Sequence, residues 1–102
     1  MPTSEGVARA VQLVPDIIRF EMTCSAVPVQ IEGTLVDGSD FYFRYRWGHA
    51  GVGIGETLHA AVADQIYHRI EYGDEHQGFL DDDELAEVFV AAWAARVGSD
   101  GR

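Results

Sequence analysis

Two runs of alternating residues on either side of the turn-forming pair Asp37-Gly38 constrain this chain more than any other feature. The first run covers residues 27–36 and the second covers residues 41–47. Because side chains alternate between the two faces of a β-strand, each run presents one apolar face, and together the runs predict a β-hairpin. The predicted apolar face consists of Val29, Ile31, Leu35, Phe41, Phe43, Tyr45 and Trp47.

The loop of this hairpin must hold an odd number of residues, since only then do the two apolar faces coincide. A two-residue turn is excluded because it would place arginine opposite isoleucine. A loop of residues 36–38 places Gly38 where a type I turn with a G1 bulge requires a positive φ. A loop of residues 37–39 instead places Glu32 opposite Arg44. The glycine favours the first register and the charge pair favours the second.

The segments before the hairpin predict a strand and a short helix. Residues 16–25 alternate, and one face carries Ile18, Phe20, Met22 and Cys24. This strand and the hairpin would form a three-stranded antiparallel meander over residues 16–47. Residues 4–14 carry valines at helical spacing and precede Pro15, which predicts an N-terminal helix with Ser4 as its cap.

Two helices are predicted after the sheet. Residues 56–72 carry large apolar residues four positions apart and are followed by Gly73 as a C-cap. Residues 81–97 begin with a capping box in which Asp81 is the N-cap and Glu84 stands at the third helical position. The apolar residues of the first helix are Leu58, Val62, Ile66 and Ile70.

The predicted fold class is α+β. One domain of residues 1–102 would contain an N-terminal segment (1–15), a curved three-stranded antiparallel meander (16–47) and a helical pair (56–97) packed on one face of the sheet. The glycine-rich residues 48–55 are predicted to form a loop or a short irregular edge segment.

Charge and composition exclude several classes of function. Seventeen acidic residues against seven basic ones give a net charge of −10, which disfavours direct binding to nucleic acid or to an anionic membrane and favours a partner with a basic surface. Every basic residue is arginine, so neither a Schiff-base lysine nor a Walker A phosphate loop is available. The absence of lysine and asparagine fits the codon usage of a GC-rich genome, and we expect a high-GC bacterium or its phage as the source.

Cysteine usage and hydropathy predict a cytoplasmic location. The single cysteine, Cys24, cannot form an internal disulfide, which suits a reducing compartment. No apolar run has the length of a membrane span or the layout of a signal peptide.

Residues 78–85, with the sequence Gly-Phe-Leu-Asp-Asp-Asp-Glu-Leu, resemble the second half of an EF-hand calcium loop. In that family a glycine, an aliphatic residue and a bidentate glutamate stand at this spacing between two helices. The first half departs from the family pattern, because Gly73, Glu75 and Gln77 occupy the positions of its first oxygen ligands. The same carboxylates fit an N-cap cluster at a positive helix end, so we predict neither a bound metal nor a cofactor.

Two further segments have residue types found in ligand-binding or catalytic sites, but their spacing does not specify such a site. Residues 51–55 are a glycine-rich stretch that could hold a phosphate, but Glu56 stands where the phosphate would bind. Asp64 and His68 lie four positions apart near three other histidines. These residues are of the types that form metal or acid–base sites, yet a solvated ion pair between Asp64 and His68 fits the same spacing. No catalytic residue is predicted, and we expect the protein not to be an enzyme.

The polar face of the predicted sheet carries Tyr42, Arg44 and Arg46, the only local concentration of arginine in the chain. Aromatic residues and arginine dominate interface hot spots, so these three residues form the predicted partner-binding site. A solvated cross-strand ladder of charges is the alternative interpretation.

The second predicted helix carries no charge between Glu87 and Arg96 and is apolar on nearly all sides. Such a helix is covered on more than one side. We therefore predict a homodimer contact or a stable partner contact at Val90, Ala94 and Val97. The alternative interpretation is an alanine-rich surface that contacts nothing.

These features predict a small acidic protein-interaction or regulatory module without catalytic activity, of the kind that phages and mobile elements encode as accessory proteins. It would bind an unknown host or cellular protein. One alternative is a nucleic-acid-mimicking inhibitor of a basic protein. Another is a ligand- or metal-binding domain with a degenerate EF-hand-like loop.

Overall fold

The structure, a computed structural model, describes residues 3–25, 28–73 and 80–98. The elements in these ranges are α1 (Ser4–Gln12), β1 (Ile17–Ser25), β2 (Val29–Leu35), β3 (Asp40–Arg46), β4 (His49–Gly55), α2 (Leu58–Gln65), β5 (Arg69–Glu71) and α3 (Asp82–Gly98). The five strands form one antiparallel sheet in chain order. The predicted α+β class is confirmed. The sheet, however, has five strands in the described ranges, two more than were predicted. Among the described helices, none is both long and apolar enough to cross a membrane.

The hairpin of β2 and β3 has the register expected for a loop of residues 36–38. Gly38 has a φ of 90°, and its N–H donates to the Leu35 carbonyl oxygen at 2.9 Å. Glu32 lies opposite Tyr42, so the alternative loop, which would have set this glutamate opposite an arginine, is wrong. The conformational demand of the turn therefore outweighs an exposed charge pair.

Residues 48–55 contain β4, so their prediction as a loop is wrong. Apolar residues and glycines alternate along β4, and the apolar residues share the core face with the aromatic residues of β3. The glycines lie on the other face, where a Cβ atom on Gly53 would collide with the backbone of α2 at Ala61 and Gln65. These glycines let a helix pack directly on the strand, which is one of the reasons for glycine within a sheet.

The helix α2 packs on the face of the sheet opposite α1 and α3, so the predicted pair of helices on one face is wrong. It is also shorter than predicted, because it ends at Gln65 and residues 69–71 form β5. Its buried residues are Ala61 and Gln65, whereas Val62 and Ile66 are 39% and 54% exposed. Backbone atoms of α2 and the Cβ of Ala60 contact Gly53 and Gly55, which leaves no room there for the larger apolar residues that were predicted to be buried.

The main core lies between the sheet and the layer formed by α1 and α3. Phe41 and Phe43 of β3 are fully buried, and their ring centroids lie 6.3 and 5.1 Å from that of Phe89 in α3. Trp93 packs edge-on against Phe41 at 5.4 Å. The predicted inward orientation of these β3 aromatics is therefore confirmed. The helix α1 adds Val7, Ala10 and Val11 to the same core, and Val14 joins them just after the helix ends.

The strand β1 departs from simple alternation because two β-bulges interrupt its pairing with β2. Each bulge adds one residue and changes which side chains share a face. The predicted single apolar face is therefore wrong: Ile18 is 65% exposed, and Cys24 lies opposite Gln30 on the face that carries Arg44.

The N-termini of α1 and α3 meet, and side-chain hydrogen bonds hold both of them. The predicted capping box is confirmed: Asp81 accepts from the Glu84 N–H at 2.8 Å, and Glu84 accepts from the Asp81 N–H at 3.1 Å. The N-cap of α1 is Thr3 rather than the predicted Ser4. Asp82 accepts hydrogen bonds from the N–H and the hydroxyl of Thr3, each at 2.8 Å. The acidic run thus joins the two helices.

Candidate functional site

A cleft of about 440 Å³ lies where the C-terminal end of α2 meets β3, β4 and β5. Its lining residues are Arg44, Arg46, Trp47, His49, Gln65, Ile66 and Arg69. We call this site the arginine cleft, because it contains three of the seven arginines of the chain.

The register of the sheet builds the arginine cleft. Arg44 lies opposite Gly51, which in turn lies opposite Arg69, so both arginines stand on the same face with a glycine between them. A Cβ atom on Gly51 would lie 2.7 Å from Nε2 of Gln65 and 2.9 Å from Cγ of Arg69. The missing side chain therefore provides the space in which the Gln65 carboxamide and the stem of Arg69 lie.

The charges of the cleft arginines are not balanced by carboxylates of the described structure. Outside the cleft, Arg9 and Arg96 each pair with an aspartate, at 3.5 and 2.6 Å, and Arg19 donates to a threonine hydroxyl at 2.9 Å. Across residues 3–25, 28–73 and 80–98, no carboxylate oxygen lies within 4.0 Å of a cleft guanidinium nitrogen. The described part of a chain with a net charge of −10 thus contains a local concentration of unpaired positive charge.

Gln65 is a buried polar residue at the closed end of the cleft. Gln65 is only 4% exposed. Its carboxamide forms no hydrogen bond with any other residue that the structure describes. No fully enclosed side-chain nitrogen or oxygen in the described ranges lacks a partner, so the polar atoms of this carboxamide must open onto the cleft. The Gln65 carboxamide is therefore free to hydrogen-bond with a group bound in the cleft.

Trp47 lines the cleft because the chain turns through a left-handed conformation. The strand β3 ends at Arg46, and Trp47 and Gly48 have φ values of 50° and 77°, as in a type I′ turn. Trp47 is 43% exposed, so its predicted position on the core face is wrong. A tryptophan at positive φ is strained by about 1–2 kcal/mol, and strain of this kind is concentrated at functional sites.

Of the predicted contact residues, Arg44 and Arg46 line the arginine cleft and Tyr42 does not. Tyr42 is 7% exposed on the face that α2 covers, and its hydroxyl accepts a hydrogen bond from Gln30 at 3.0 Å. Burial raises the pKa of the Tyr42 phenol above its ordinary value. Tyr42 therefore supports the sheet beneath α2 and offers little surface to a partner.

Trp47, Gln65 and Arg69 also line the cleft, although their sequence context did not predict them as members of the site. The last two lie in a segment predicted to be one continuous helix, in which β5 was not recognised. The alternation of apolar residues with glycine in residues 49–55 is the signal that would have indicated a further strand.

Asp64 links α2 to β4 and α3 beside the cleft. Its Oδ2 accepts hydrogen bonds from the Ile54 N–H at 2.9 Å and from Nε of Arg96 at 2.6 Å, and its Oδ1 lies 3.4 Å from Nε2 of His68. Although burial raises the pKa of Asp64, these hydrogen bonds and the Arg96 charge hold it below its ordinary value. The predicted solvated pair is thus part of a half-buried cluster that fastens the two helices to the sheet edge.

The metal-site hypotheses gain no support from the described residues. The carboxylates of Asp81, Asp82 and Glu84 are engaged in helix-end hydrogen bonds. The first half of the calcium-loop resemblance falls largely on residues 74–79, which lie outside the described ranges, as does His76. Within those ranges, no three His, Cys, Asp or Glu side chains are grouped as metal ligands.

The predicted dimer residues Val90, Ala94 and Val97 line an apolar groove of about 310 Å³ between α3 and the C-terminal end of α1. Val90 and Val97 are 40% and 42% exposed, and Leu13 across the groove is 58% exposed. The homodimer stays a prediction.

Comparison with family models, with curated proteins and with solved structures gives no match for this chain. What the protein binds has to be inferred from the chemistry of the arginine cleft.

Proposed function

We propose that this protein is a small interaction module without catalytic activity, and that the arginine cleft is its contact site for an anionic group on a partner protein. The observation that carries this proposal is the set of three arginines without a carboxylate partner in the described structure. Like charges held close together repel one another, and an incoming anion relieves that repulsion while it gains charge-assisted hydrogen bonds.

The composition and size of the arginine cleft support a protein contact. Tryptophan and arginine are the residues most enriched in interface hot spots, and Trp47 stands beside the cleft arginines. A volume of about 440 Å³ lies in the range of sites that enclose a small group. The cleft therefore suits one side chain or a short segment of a partner.

The charge of the whole chain adds a second requirement for the partner. A net charge of −10 favours a partner whose surface is basic overall, as the composition predicts, and disfavours nucleic acid. The arginine cleft selects an anionic group within such a surface. A partner of mixed charge would satisfy both, and the local contact would fix its orientation.

Affinity capture with charge-matched variants tests this proposal. The cleft variant is Arg44→Gln/Arg69→Gln, and the control Arg9→Gln/Arg19→Gln removes the same charge outside the cleft. Quantitative mass spectrometry of an extract of the source organism should identify a partner that the wild type and the control retain about tenfold more strongly than the cleft variant does. Thermal unfolding of both variants verifies that they are folded. A cleft variant that is folded and retains the same partner at the same level would contradict the proposal.

The two alternatives predicted from the sequence, nucleic-acid mimicry and a metal-binding domain, stay predictions. Mimicry requires carboxylates on one open surface. In the acidic run at the start of α3, Asp81, Asp82 and Glu84 are engaged in hydrogen bonds at the ends of α1 and α3.

A further inference from the structure

We infer that the group bound by the arginine cleft is a phosphate monoester, carried by a phosphorylated side chain of the partner protein. This inference rests on the proposed function and specifies the chemistry that the same site recognises. It follows from the placement of the donors, from the number of unpaired charges and from the apolar rim of the cleft.

Three hydrogen-bond donors line the same cleft, namely Arg44, Arg69 and the carboxamide of Gln65. Arg44 and Arg69 lie on either side of Gly51, so their Cα atoms are two strand spacings apart, about 10 Å. Both arginines line the cleft, and Nε2 of Gln65 lies over the glycine between them. A phosphate monoester has three acceptor oxygens in a tetrahedral arrangement and can accept from all three groups at once. A carboxylate offers only two oxygens in one plane.

The charge of the site also favours phosphate over carboxylate. Three positively charged arginines without carboxylate partners in the described ranges line the cleft. One carboxylate supplies a single negative charge, whereas a phosphate monoester carries about −1.5 to −2 at pH 7. Recognition of a phosphorylated residue by an arginine cluster is a known mode of peptide binding.

The rim of the cleft provides a surface for the organic part of the ligand. Trp47 and Ile66 are 43% and 54% exposed and line the same cleft as the arginines. An aromatic ring attached to the phosphate would gain apolar contact with both of them and could stack on the indole. An aryl phosphate such as the side chain of phosphotyrosine fits this combination best.

Isothermal titration calorimetry with three small probes tests the chemistry. Phenyl phosphate should bind about tenfold more tightly than benzoate, which lacks the third oxygen and second charge, and more tightly than inorganic phosphate, which lacks the ring.

The variant Arg69→Gln should weaken phenyl phosphate binding by about tenfold, while Arg19→Gln should leave it unchanged. Arg46→Gln, at an exposed position, serves as a second cleft variant if Arg69→Gln unfolds. Equal affinity for benzoate and phenyl phosphate, absence of phenyl phosphate binding, or insensitivity to both cleft variants would overturn the inference.

Two further probes decide where the phosphate comes from. A short phosphotyrosine peptide should bind at least as tightly as phenyl phosphate and more tightly than adenosine 5′-monophosphate. Tighter binding of the nucleotide would overturn the assignment to a phosphorylated side chain.

Different experimental results would contradict the phosphate assignment and the protein contact. If the cleft variant loses its protein partner but phenyl phosphate does not bind the wild type, the contact site stands and the phosphate assignment is wrong. If phenyl phosphate binds in the cleft but partner capture is insensitive to Arg44→Gln/Arg69→Gln, the protein contact is wrong and the anion site stands.

Discussion

A Cβ atom at position 53 would collide with the Ala61 carbonyl oxygen and the Gln65 amide nitrogen, both of which are backbone atoms of α2. Backbone cannot rotate away as a flexible side chain can, so even one methyl group would push α2 off the sheet. The contact between α2 and β4 therefore depends on the absence of a side chain at this position. The Gln65 end of α2 forms the closed end of the arginine cleft, so the same glycine positions the site.

We expect Gly53→Ala to lower the free energy of unfolding by about 1–3 kcal/mol, the usual range for overpacking. Urea denaturation measures this change. Gly98→Ala is the matched control, because its added Cβ would meet no atom within 4 Å in the described residues beyond the adjoining backbone of its own helix. The control should change the stability by less than about 1 kcal/mol. A Gly53→Ala protein as stable as the control would show that α2 does not pack directly on β4.

The lowered pKa of Asp64 makes the free energy of unfolding depend on pH. Although burial raises its pKa, the Ile54 N–H and Arg96 hold the folded-state pKa below the ordinary value. The stability that Asp64 contributes is therefore fully present above the ordinary carboxyl pKa of 3.8, and it is lost as the pH falls through the lower folded-state pKa.

We expect Asp64→Asn to be less stable than the wild type at pH 7 by about 1.5–3 kcal/mol, the range for hydrogen bonds to a charged group. Its Tm should also fall less steeply than that of the wild type between pH 5 and pH 3. Asp83, with a side chain that is 95% exposed, provides the control Asp83→Asn, which should keep the wild-type pH dependence. An Asp64→Asn protein with an unchanged acid slope would rule out this role for the carboxylate.

At the scale of single residues, the sequence predicts burial where alternation is unbroken, as for Phe41 and Phe43. It does not predict the exposure of Trp47, because that residue continues the alternation and leaves the strand only through a turn at positive φ. The burial of Gln65 could not be predicted either, because nothing in the local sequence shows that this residue packs against a strand rich in glycine.

Elements whose ends are set by local hydrogen bonds are the most predictable ones. The capping box of α3 involves residues only three positions apart, so it can be identified without the fold. The loop of the β2–β3 hairpin likewise depends on one glycine at positive φ. By contrast, α2 and β5 could not be separated, because residues 56–72 have a continuous helical spacing of apolar residues. The packing of α2 on β4 overrides this pattern, since the backbone of α2 lies directly against Gly53.

We expect Asp81→Ala to destabilise the protein by about 1 kcal/mol, because the substitution removes an N-cap side chain. Asp83→Ala in the same acidic run removes an exposed carboxylate and should cost less than about 1 kcal/mol. Thermal unfolding at pH 7 compares the two variants. Equal losses for both would mean that net charge, rather than the cap, is what matters at this helix end.

For the whole molecule, helices on both faces of the sheet determine where a binding site can form. The helix α2 covers the glycines of β4 and stops at Gln65. The end of β3 that carries Arg44 and Arg46 therefore stays open and forms the arginine cleft. The sequence alone indicated two of these residues as a contact patch, but Arg69 joins them only through the pairing of β5.

The apolar groove between α1 and α3 carries the prediction of a homodimer. Light scattering after size-exclusion chromatography should give twice the chain mass of 11.2 kDa at micromolar concentration. Val90→Asp should convert the dimer to a monomer, because it places a charge in a buried apolar contact. Val36→Asp, at a hairpin-loop position that is 67% exposed, should leave the mass unchanged. A wild-type protein that runs as a monomer would contradict the prediction.

The most direct test of the arginine cleft is an NMR titration with phenyl phosphate, because the chain holds two tryptophans in opposite environments. Trp47 lines the cleft and Trp93 lies in the core at 8% exposure, so their indole N–H signals report on the site and on the core within one spectrum. We predict saturable shifts of the Trp47 indole, the Gly51 amide and the Gln65 side-chain amide, with the Trp93 indole unmoved. Shifts confined to other residues, with these three signals unchanged, would show that the anion does not bind in the arginine cleft.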